Sequence, residues 1–317
     1  MDALYNAAKP RVVAIGGPTA TGKTALSVAL AKRFGGEIIS ADSMQIYQGL
    51  DVGTAKVTPE EMQGVPHHLV GFLAPEQAFS VADFTTLAGK TITQLTAQGK
   101  LPLVVGGTGL YITSLLNGIG FTPEKVDPAI RQELQARLQA EGSQALYAEL
   151  AAVDPGYAAK VHPNNTPRVI RALELYRATG RKMSAEREAA RPAEKPYRSL
   201  CLCLTCRDRA LLYQRIDTRC DRMMQSGILE EAKLVYDHRD TYRTAAQAIG
   251  YKEFFPYFEQ TASLEACADK LKQASRNYAK RQLTWFRHMD GVVWLDAGAP
   301  EVQQCACRTV QEFLSKG

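Results

Sequence analysis

The sequence predicts an α/β protein whose parallel sheet contains a phosphate-binding loop (P-loop) and is flanked by helices, with an inserted helical domain. Three observations predict this. Short apolar runs alternate with helical patterns over roughly the first 110 residues, which is typical of a parallel sheet. A glycine-rich motif, Gly17–Thr24, lies between the first such run and the first helical pattern. From about residue 120 to 195 helical patterns continue without a convincing strand.

The elements of the sheet follow in chain order. Residues 11–17 (RVVAIGG) form a short apolar run that ends in glycines and predicts a buried strand. Residues 24–36 have apolar positions at helical spacing and end in the stop signal Gly-Gly. The pattern then predicts a strand at 37–40, a helix over 81–100 and a strand that runs into glycines at 101–109.

The middle of the chain predicts a separate helical domain. Residues 127–142, 143–153 and 166–180 have helical patterns, separated by the helix-breaking sequences DPGY and HPNN. Strands are predicted to return at 199–204 and 291–296, with long helices between them over roughly 208–237 and 263–289. We therefore divide the chain into a P-loop core (1–119), a helical insertion (120–196) and the continued core (197–317).

Composition predicts an ordinary globular protein, with 45% hydrophobic and 22% charged residues. The net charge of +5 permits a nucleic-acid partner without requiring one. The longest apolar runs are shorter than the ~18 residues that span a bilayer. The first residues lack the pattern of a signal peptide, so we expect a cytoplasmic protein that does not contact membranes.

Seven cysteines allow two interpretations. Cys201, Cys203 and Cys206 form one group and Cys305 and Cys307 another, so two clusters could supply the thiolates of a zinc site. However, RSLCLCLTC alternates as a strand does, and buried cysteine packs as a small apolar residue. The spacing of neither group matches a zinc motif, which favours packing.

The glycine-rich motif predicts a site for a diphosphate or triphosphate with Mg²⁺. Glycines let backbone N–H groups turn toward an anion, and the following helix adds the positive end of its dipole. Lys23 supplies a positive charge, and the Thr24 hydroxyl is a candidate ligand of Mg²⁺. The predicted diphosphate-binding residues are Gly17, Pro18, Thr19, Ala20, Thr21, Gly22, Lys23 and Thr24.

Asp42 follows the second predicted strand, at the sheet edge where α/β proteins bind ligands. A carboxylate repels a bound diphosphate, so its role there is chemical: it holds a water on Mg²⁺ or acts as a base. The alternative is a helix cap, for which Asp is an ordinary residue. Spacing by itself does not decide between these roles. The catalytic loop of protein kinases is absent from the sequence.

Six segments carry a resemblance to a known family. In order, GPTATGKT, ADSMQIYQGLDVGTAK, VVGGTGLYI, HPNNTPRVIRALELYRATG, QAIGYKE and AKRQLTWFR resemble the tRNA isopentenyltransferase family, over about residues 11–296. The resemblance implies that the P-loop holds the diphosphate of dimethylallyl diphosphate. It also implies transfer of the dimethylallyl group to N6 of the adenosine next to the anticodon, with release of diphosphate. The implied catalytic residues are Asp42 as general base, Lys23, Thr24 with Mg²⁺, and Arg219, for which Arg215 is a competitor.

The resemblance also implies which residues contact the anticodon stem-loop of tRNA. They are Asp42, Ser43, Met44, Gln45, Thr108, Ile130, Thr166, Pro167, Arg168, Val169, Ile170, Gln247, Ala248, Ile249, Gly250, Tyr251, Lys252, Lys280, Arg281, Gln282, Leu283, Thr284, Trp285, Phe286 and Arg287. Within the last predicted long helix, Arg276, Lys280 and Arg287 share the face that suits phosphates. Leu271, Ala274, Tyr278 and Trp285 share a face that we expect to be core. Charges of the insertion such as Arg131, Arg137 and Lys160 suit either RNA or solvent.

Three alternatives remain at this point. An adenylate isopentenyltransferase shares the loop and the Asp but needs neither the helical insertion nor a basic RNA-binding helix. A small-molecule P-loop kinase would transfer phosphate instead, and a non-catalytic tRNA-binding protein would not depend on Asp42. We favour the tRNA-modifying enzyme, and we expect it to be a monomer.

Overall fold

The structure is a computed structural model that describes residues 9–121, 127–190 and 192–316. Contacts group the chain into two compact units. The smaller unit is Asn117–Lys195, and the larger combines Met1–Leu116 with Pro196–Gly317. The sequence predicts the helical insertion over residues 120–196, within three residues of these limits. Among the described residues, none of the helices is both long and apolar enough to cross a bilayer.

The larger unit is built on a parallel sheet. Its described strands are β1 (Arg11–Gly16), β2 (Gly36–Ser40), β3 (His67–His68), β4 (Leu101–Val105), β5 (Arg198–Thr205) and β6 (Val292–Asp296). Their spatial order is β3-β2-β4-β1-β5-β6, and every pair is parallel. The predicted fold class is therefore confirmed. The chain leaves β1 toward β2 and returns on the other side at β5, so the strand order reverses around β1, where α/β folds bind ligands.

Helices cover both faces of this sheet. Those before the insertion are α1 (Lys23–Phe34), α2 (Pro59–Met62), α3 (Val81–Ala97) and α4 (Gly109–Leu116). Helix α3 begins with a capping box in which Ser80 and Asp83 satisfy each other's backbone N–H groups. Helix α1 begins differently, at Gly22 in a left-handed conformation (φ 80°). The N–H groups of its first turn are thus left to a ligand rather than to a capping side chain.

The smaller unit is helical throughout its described part. Its helices are α5 (Pro128–Glu141), α6 (Ser143–Val153), α7 (Pro155–Ala158), α8 (Thr166–Thr179) and α9 (Met183–Ala189). Their apolar faces meet around Leu134, Leu150 and Leu173, which are fully buried.

Two charged residues of the insertion are ion-paired within it. Arg131 pairs with the buried carboxylate of Glu174. Arg137 pairs with Glu149 at 2.6 Å and with Glu141 at 2.9 Å. These guanidinium groups therefore stabilise helix–helix contacts in the unit, a role that the sequence analysis did not assign to them.

The remaining helices of the larger unit are α10 (Arg209–Gln225), α11 (Ile228–Asp237), α12 (Phe255–Phe258), α13 (Leu264–Arg287) and α14 (Val302–Ser315). The helix expected over 208–237 is two helices, because Gly227 adopts a left-handed conformation (φ 93°) that interrupts it. Two short 3₁₀ turns, Ala245–Gln247 and Lys252–Phe254, lie between α11 and α12.

The core has one apolar layer on each face of the sheet. Alternate residues of β1 point in opposite directions, so Val12 packs with Phe84 of α3 while Val13 packs with Leu30 of α1. A third apolar cluster is built from α10, α11 and α13 and includes the buried Tyr251. These layers hold the carboxyl ends of β1, β2 and β4 beside α10 and α13.

Candidate active site

A cavity of about 840 Å³ lies at the carboxyl ends of the strands in the larger unit. Its walls come from the P-loop after β1, the turn after β2, helices α10 and α13, and the two 3₁₀ turns. Lys23, Asp42 and Arg219 all line it. The structure thus brings the predicted catalytic side chains to one space, although they come from three separate segments.

The P-loop divides into members that line the cavity and members that support it. Thr19, Ala20, Gly22, Lys23 and Thr24 line the cavity. The buried hydroxyl of Thr21 donates to the carbonyl of Pro18 at 2.8 Å, so it stabilises the loop from within. Gly17 has φ 137°, and a Cβ there would lie 2.5 Å from the Leu204 carbonyl oxygen. Only glycine permits this approach of the loop to β5.

Among the described residues that line the cavity, five side chains are cationic and two are carboxylates, Asp42 and Glu61. The cations are Lys23, Arg219, Arg243, Lys252 and Arg281. Burial and the neighbouring Arg219 lower the pKa of Lys23 to about 8. Burial likewise lowers the pKa of Arg219, although Asp42 opposes this shift. Bringing two positive charges together away from water is unfavourable unless an anion binds between them. The site is therefore arranged for a ligand with more than one negative charge.

Arg215 and Arg219 lie on the same face of α10 but have different environments. Arg219 lines the cavity. Arg215 donates to the carbonyl of Ala297 at 3.3 Å and so ties α10 to the segment after β6. The geometry therefore places Arg219, and not Arg215, at the cavity.

Asp42 caps the turn after β2 and also lines the cavity. Its Oδ1 accepts hydrogen bonds from the backbone N–H groups of Met44 at 2.9 Å and Gln45 at 3.3 Å, as a capping carboxylate does. The same residue lines the cavity that contains Lys23 and Arg219. Capping one carboxylate oxygen fixes the orientation of the group and leaves the second oxygen for a ligand.

Tyr278 of α13 belongs to the cavity wall, so its assignment to the core face was wrong. Burial and the negative charge of Asp42 raise the pKa of the Tyr278 phenol to about 12. Thr108 lies near this phenol, and its Oγ1 accepts from the Ser43 N–H at 3.1 Å. Tyr278 therefore lines the cavity together with Asp42, and the sequence contained no signal for this.

A second residue that the sequence analysis missed is Glu231 of α11. Its carboxylate accepts from the backbone N–H groups of Asp51 at 2.8 Å, Val52 at 2.9 Å and Gly53 at 2.9 Å. It also accepts from the Tyr251 hydroxyl. The wall segments 51–55 and 247–252 are thereby joined through one side chain. This contact spans about 180 residues of sequence, so no local pattern could reveal it.

We expect Glu231→Gln to destabilise the protein by about 1–3 kcal/mol, because an amide NH₂ would then face backbone N–H donors that have lost their acceptor. Urea denaturation followed by circular dichroism measures the change in midpoint. Glu230→Gln, at an exposed position of the same helix, is the matched control and should shift the free energy of unfolding by less than about 0.5 kcal/mol. Equal stability of the two variants would contradict the role of Glu231.

The model of the IPP transferase family matches residues 45–289, and that of isopentenyl transferases matches residues 10–70. The chain belongs to the IPP transferase family. The tRNA dimethylallyltransferase of Bacillus subtilis (strain 168) is 50% identical over 295 residues, 93% of each chain. That of Geobacillus thermodenitrificans (strain NG80-2) is 48% identical over 92% of each.

Solved structures agree with the family. The full-length tRNA isopentenylpyrophosphate transferase of Bacillus halodurans is 44% identical with a TM-score of 0.72, covering 97% of this chain and 98% of its own. A eukaryotic dimethylallyltransferase, described as acting on tRNA, is 31% identical with a TM-score of 0.79. It is matched over 96% of this chain and 79% of its own. The fold of the IPP transferase family is thus present over almost the whole chain.

The residues of this family member that we predict to contact tRNA divide by exposure. In the larger unit Gln247, Lys252, Lys280, Arg281, Thr284, Trp285 and Arg287 are exposed. In the smaller unit Pro167 and Arg168 are exposed, while Ile130 and Thr166 are partly buried. The side chains of Val169, Ile170, Ala248, Tyr251, Gln282 and Phe286 are buried. Of these buried side chains, those of Ala248 and Gln282 line the cavity, and the others pack inside the protein.

Several neighbouring polar residues have local partners. Arg276 of α13 pairs with Asp217 of α10 at 2.6 Å, so it joins two helices rather than remaining available to phosphates. His162 accepts at Nδ1 from the Asn164 N–H at 3.1 Å, which is a turn contact.

The seven cysteines are free thiols, and five of them are buried. Within the described ranges, no three His, Cys, Asp or Glu side chains group as a metal site.

Proposed function

We propose that the protein transfers the dimethylallyl group of dimethylallyl diphosphate to N6 of the adenosine next to the anticodon of tRNA, with release of diphosphate. The observation that supports this best is that the P-loop, Arg219 and Asp42 line the same cavity. Relatives that are 47–50% identical carry the name tRNA dimethylallyltransferase, and the eukaryotic neighbour is described as acting on tRNA.

The cation side of the cavity suits the leaving group. Breaking the C–O bond of the donor leaves a diphosphate whose negative charge grows as the bond lengthens. Lys23, Arg219 and the N–H groups at the start of α1 are already oriented toward the space that this charge would occupy. Groups that need not reorganise stabilise such charge more than water does, which lowers the barrier.

The carboxylate side suits the acceptor. The lone pair of the adenine N6 amine is delocalised into the ring, so the amine becomes a nucleophile only as it loses a proton. Asp42 is oriented by its backbone hydrogen bonds and accepts that proton while the C–N bond forms. An adenosine in a loop must first leave its stack, which is the usual way for an enzyme to reach a base.

We expect Mg²⁺ to accompany the diphosphate. Thr24 and Asp42 offer oxygen ligands in the cavity. The described residues form no cluster of three metal-binding side chains, and this fits an ion that is held largely by phosphate oxygens and water. When bound, Mg²⁺ would neutralise charge on the departing diphosphate.

A free adenylate acceptor is the nearest alternative, since the isopentenyl transferase model also matches residues 10–70. We favour tRNA because its dimethylallyltransferases match 90% or more of the chain, including the helical unit. The exposed cations Lys280, Arg281 and Arg287 on α13 fit RNA phosphates. We further propose that the protein works as a monomer in the cytoplasm, where its tRNA substrate is found.

The direct test is mass spectrometry of nucleosides from tRNA incubated with protein, Mg²⁺ and dimethylallyl diphosphate. We expect dimethylallyladenosine from tRNA and none from AMP, ADP or ATP. Product from free nucleotides alone would favour the adenylate alternative. Labelled ATP with candidate small-molecule acceptors tests the kinase alternative, and phosphate transfer without prenylation of tRNA would overturn the proposal.

The lowered pKa of Lys23 predicts the pH dependence of donor binding. Arg219, Asp42 and Cys203 face this amine, and burial raises the pKa of the Cys203 thiol, which stays neutral. The free protein loses the Lys23 proton near pH 8, whereas bound diphosphate favours the charged form. Donor binding therefore takes up a proton, and its Kd rises about tenfold between about pH 7 and about pH 9.

Calorimetric titration of donor in two buffers with different ionisation enthalpies measures this proton uptake. At pH near 8 we expect about half a proton per donor bound. Dimethylallyl diphosphate suits the experiment because its own ionisation is complete well below this pH. Binding with no proton exchange would show that Lys23 is already charged in the free protein.

A further inference from the structure

The side chain of Gln282 faces inward from a helix whose neighbouring positions face solvent. Gln282 is 5% exposed, whereas Arg281 before it is exposed. Its Oε1 accepts from the N–H of Thr19 at 3.0 Å, and its Nε2 donates to the carbonyl of Gly107 at 3.0 Å. One partner is a donor and the other an acceptor, so the orientation of the amide is unambiguous.

The peptide group between Pro18 and Thr19 is held from both sides. Its N–H donates to Gln282, and its carbonyl accepts from the Lys23 amine at 2.7 Å. A peptide is planar and its N–H and C=O point in opposite directions, so fixing one fixes the other. The Thr21 hydroxyl also donates to this carbonyl at 2.8 Å, so Gln282 and Thr21 together determine where the carbonyl that anchors the Lys23 amine lies.

Helix α13 packs so closely against the end of β1 and the segment after β4 that it cannot shift along its own axis. A Cβ on Gly107 would lie 2.1 Å from the Gln282 Nε2. A Cβ on Gly16 would lie 2.4 Å from the Phe286 ring, and one on Gly109 would lie 2.3 Å from the Trp285 ring. These three glycines thus leave room for the helix in only one position along its axis. In that position the Gln282 amide lies against the P-loop.

We propose that Gln282 is a positioning residue for the diphosphate site and does not contact tRNA. It acts through the Pro18–Thr19 peptide, which it holds so that Lys23 faces the anion. The inference rests on the proposed function, because it takes the anion to be the diphosphate of the prenyl donor. It reassigns one residue of the segment 280–287, whose exposed cations remain available to RNA.

The test measures the effect of Gln282 on the diphosphate ligand and on tRNA separately. Gln282→Met keeps the side-chain length but removes both hydrogen bonds. We expect the Kd for inorganic pyrophosphate, measured without RNA, and the KM for dimethylallyl diphosphate to rise about tenfold. The Kd for tRNA measured without donor, and the KM for tRNA, should change less than about twofold. A purely structural defect would instead lower kcat through loss of active protein and leave both KM values unchanged.

Lys280→Gln, on the exposed face of the same helix, is the matched control. It should weaken tRNA binding and reduce the slope of its salt dependence by about one, while leaving pyrophosphate binding unchanged. Should Gln282→Met fail to fold, Gln282→Asn keeps a polar amide that is too short to reach both partners, and the same donor-selective loss is expected.

Two results would overturn the positioning role. One is a loss of tRNA affinity in the Gln282 variants with pyrophosphate binding intact, which would mean that the amide contacts RNA. The other is equal pyrophosphate binding by wild type and variants. If wild-type protein itself binds no pyrophosphate, the proposed function fails, and this outcome is distinct from both.

Discussion

Replacement of Asp42 by Asn is expected to lower kcat by about 10²–10⁴-fold, because the N6 amine loses its proton acceptor. The amide oxygen can still accept from the Met44 and Gln45 N–H groups, so the turn after β2 should stay intact. The Kd values of tRNA and of the donor should change little. Single-turnover assays with preformed complex measure the chemical step by itself.

Ser43→Ala is the neighbouring control for this variant. Its backbone N–H donates to Thr108, and that contact survives the substitution. We expect its kcat to remain within a few-fold of wild type. If Asp42→Asn were equally active, Asp42 would be a capping residue only, and another group would have to accept the proton.

Loss of either Lys23 or Arg219 should produce the second large effect. Lys23→Met and Arg219→Gln are each expected to lower kcat/KM for the donor by about 10²–10³-fold, since each removes a charge that opposes the growing negative charge of diphosphate. Binding of tRNA in the absence of donor should be nearly unaffected. Initial rates at saturating tRNA and varied donor give both parameters.

Each variant has a control on its own helix. Lys32→Met lies at the other end of α1, where the amine donates to Gln63. Arg215→Gln removes the contact of α10 with the Ala297 carbonyl. We expect full activity in Lys32→Met and at most a modest loss of stability in Arg215→Gln. A larger catalytic defect in Arg215→Gln than in Arg219→Gln would reverse the assignment of the diphosphate cation.

Local signals predicted most of the regular structure. Residues 143–153 form helix α6 with the predicted bounds, and the strand predicted at 199–204 lies within β5. Apolar periodicity and glycine stops are properties of neighbouring residues, so they can be recognised without the fold. The break at Gly227 and the final helix α14 were missed although both have local signals, a glycine in the first case and an amphipathic pattern in the second.

The same distinction between local sequence signals and tertiary packing applies to the residues of the site. The Gly17–Thr24 motif is contiguous, and Asp42 closely follows a strand, so spacing could locate both at the ligand-binding edge of the sheet. Tyr278 and Glu231 contact the site only through packing of α13 and α11, and their sequence neighbourhoods resemble ordinary helices. Helical periodicity placed Tyr278 on a core face, because it cannot distinguish a side chain in the core from one lining an internal cavity.

The sequence by itself determined the parallel α/β architecture, the anion-binding loop and the helical insertion, since each depends on residues close together along the chain. Only the tertiary structure decided that Arg219 rather than Arg215 faces the cavity, that Glu231 joins two of its walls, and that the Gln282 amide reaches the P-loop. These contacts join residues that lie far apart in sequence. Their geometry depends on how helices seat against the sheet, which no local pattern encodes.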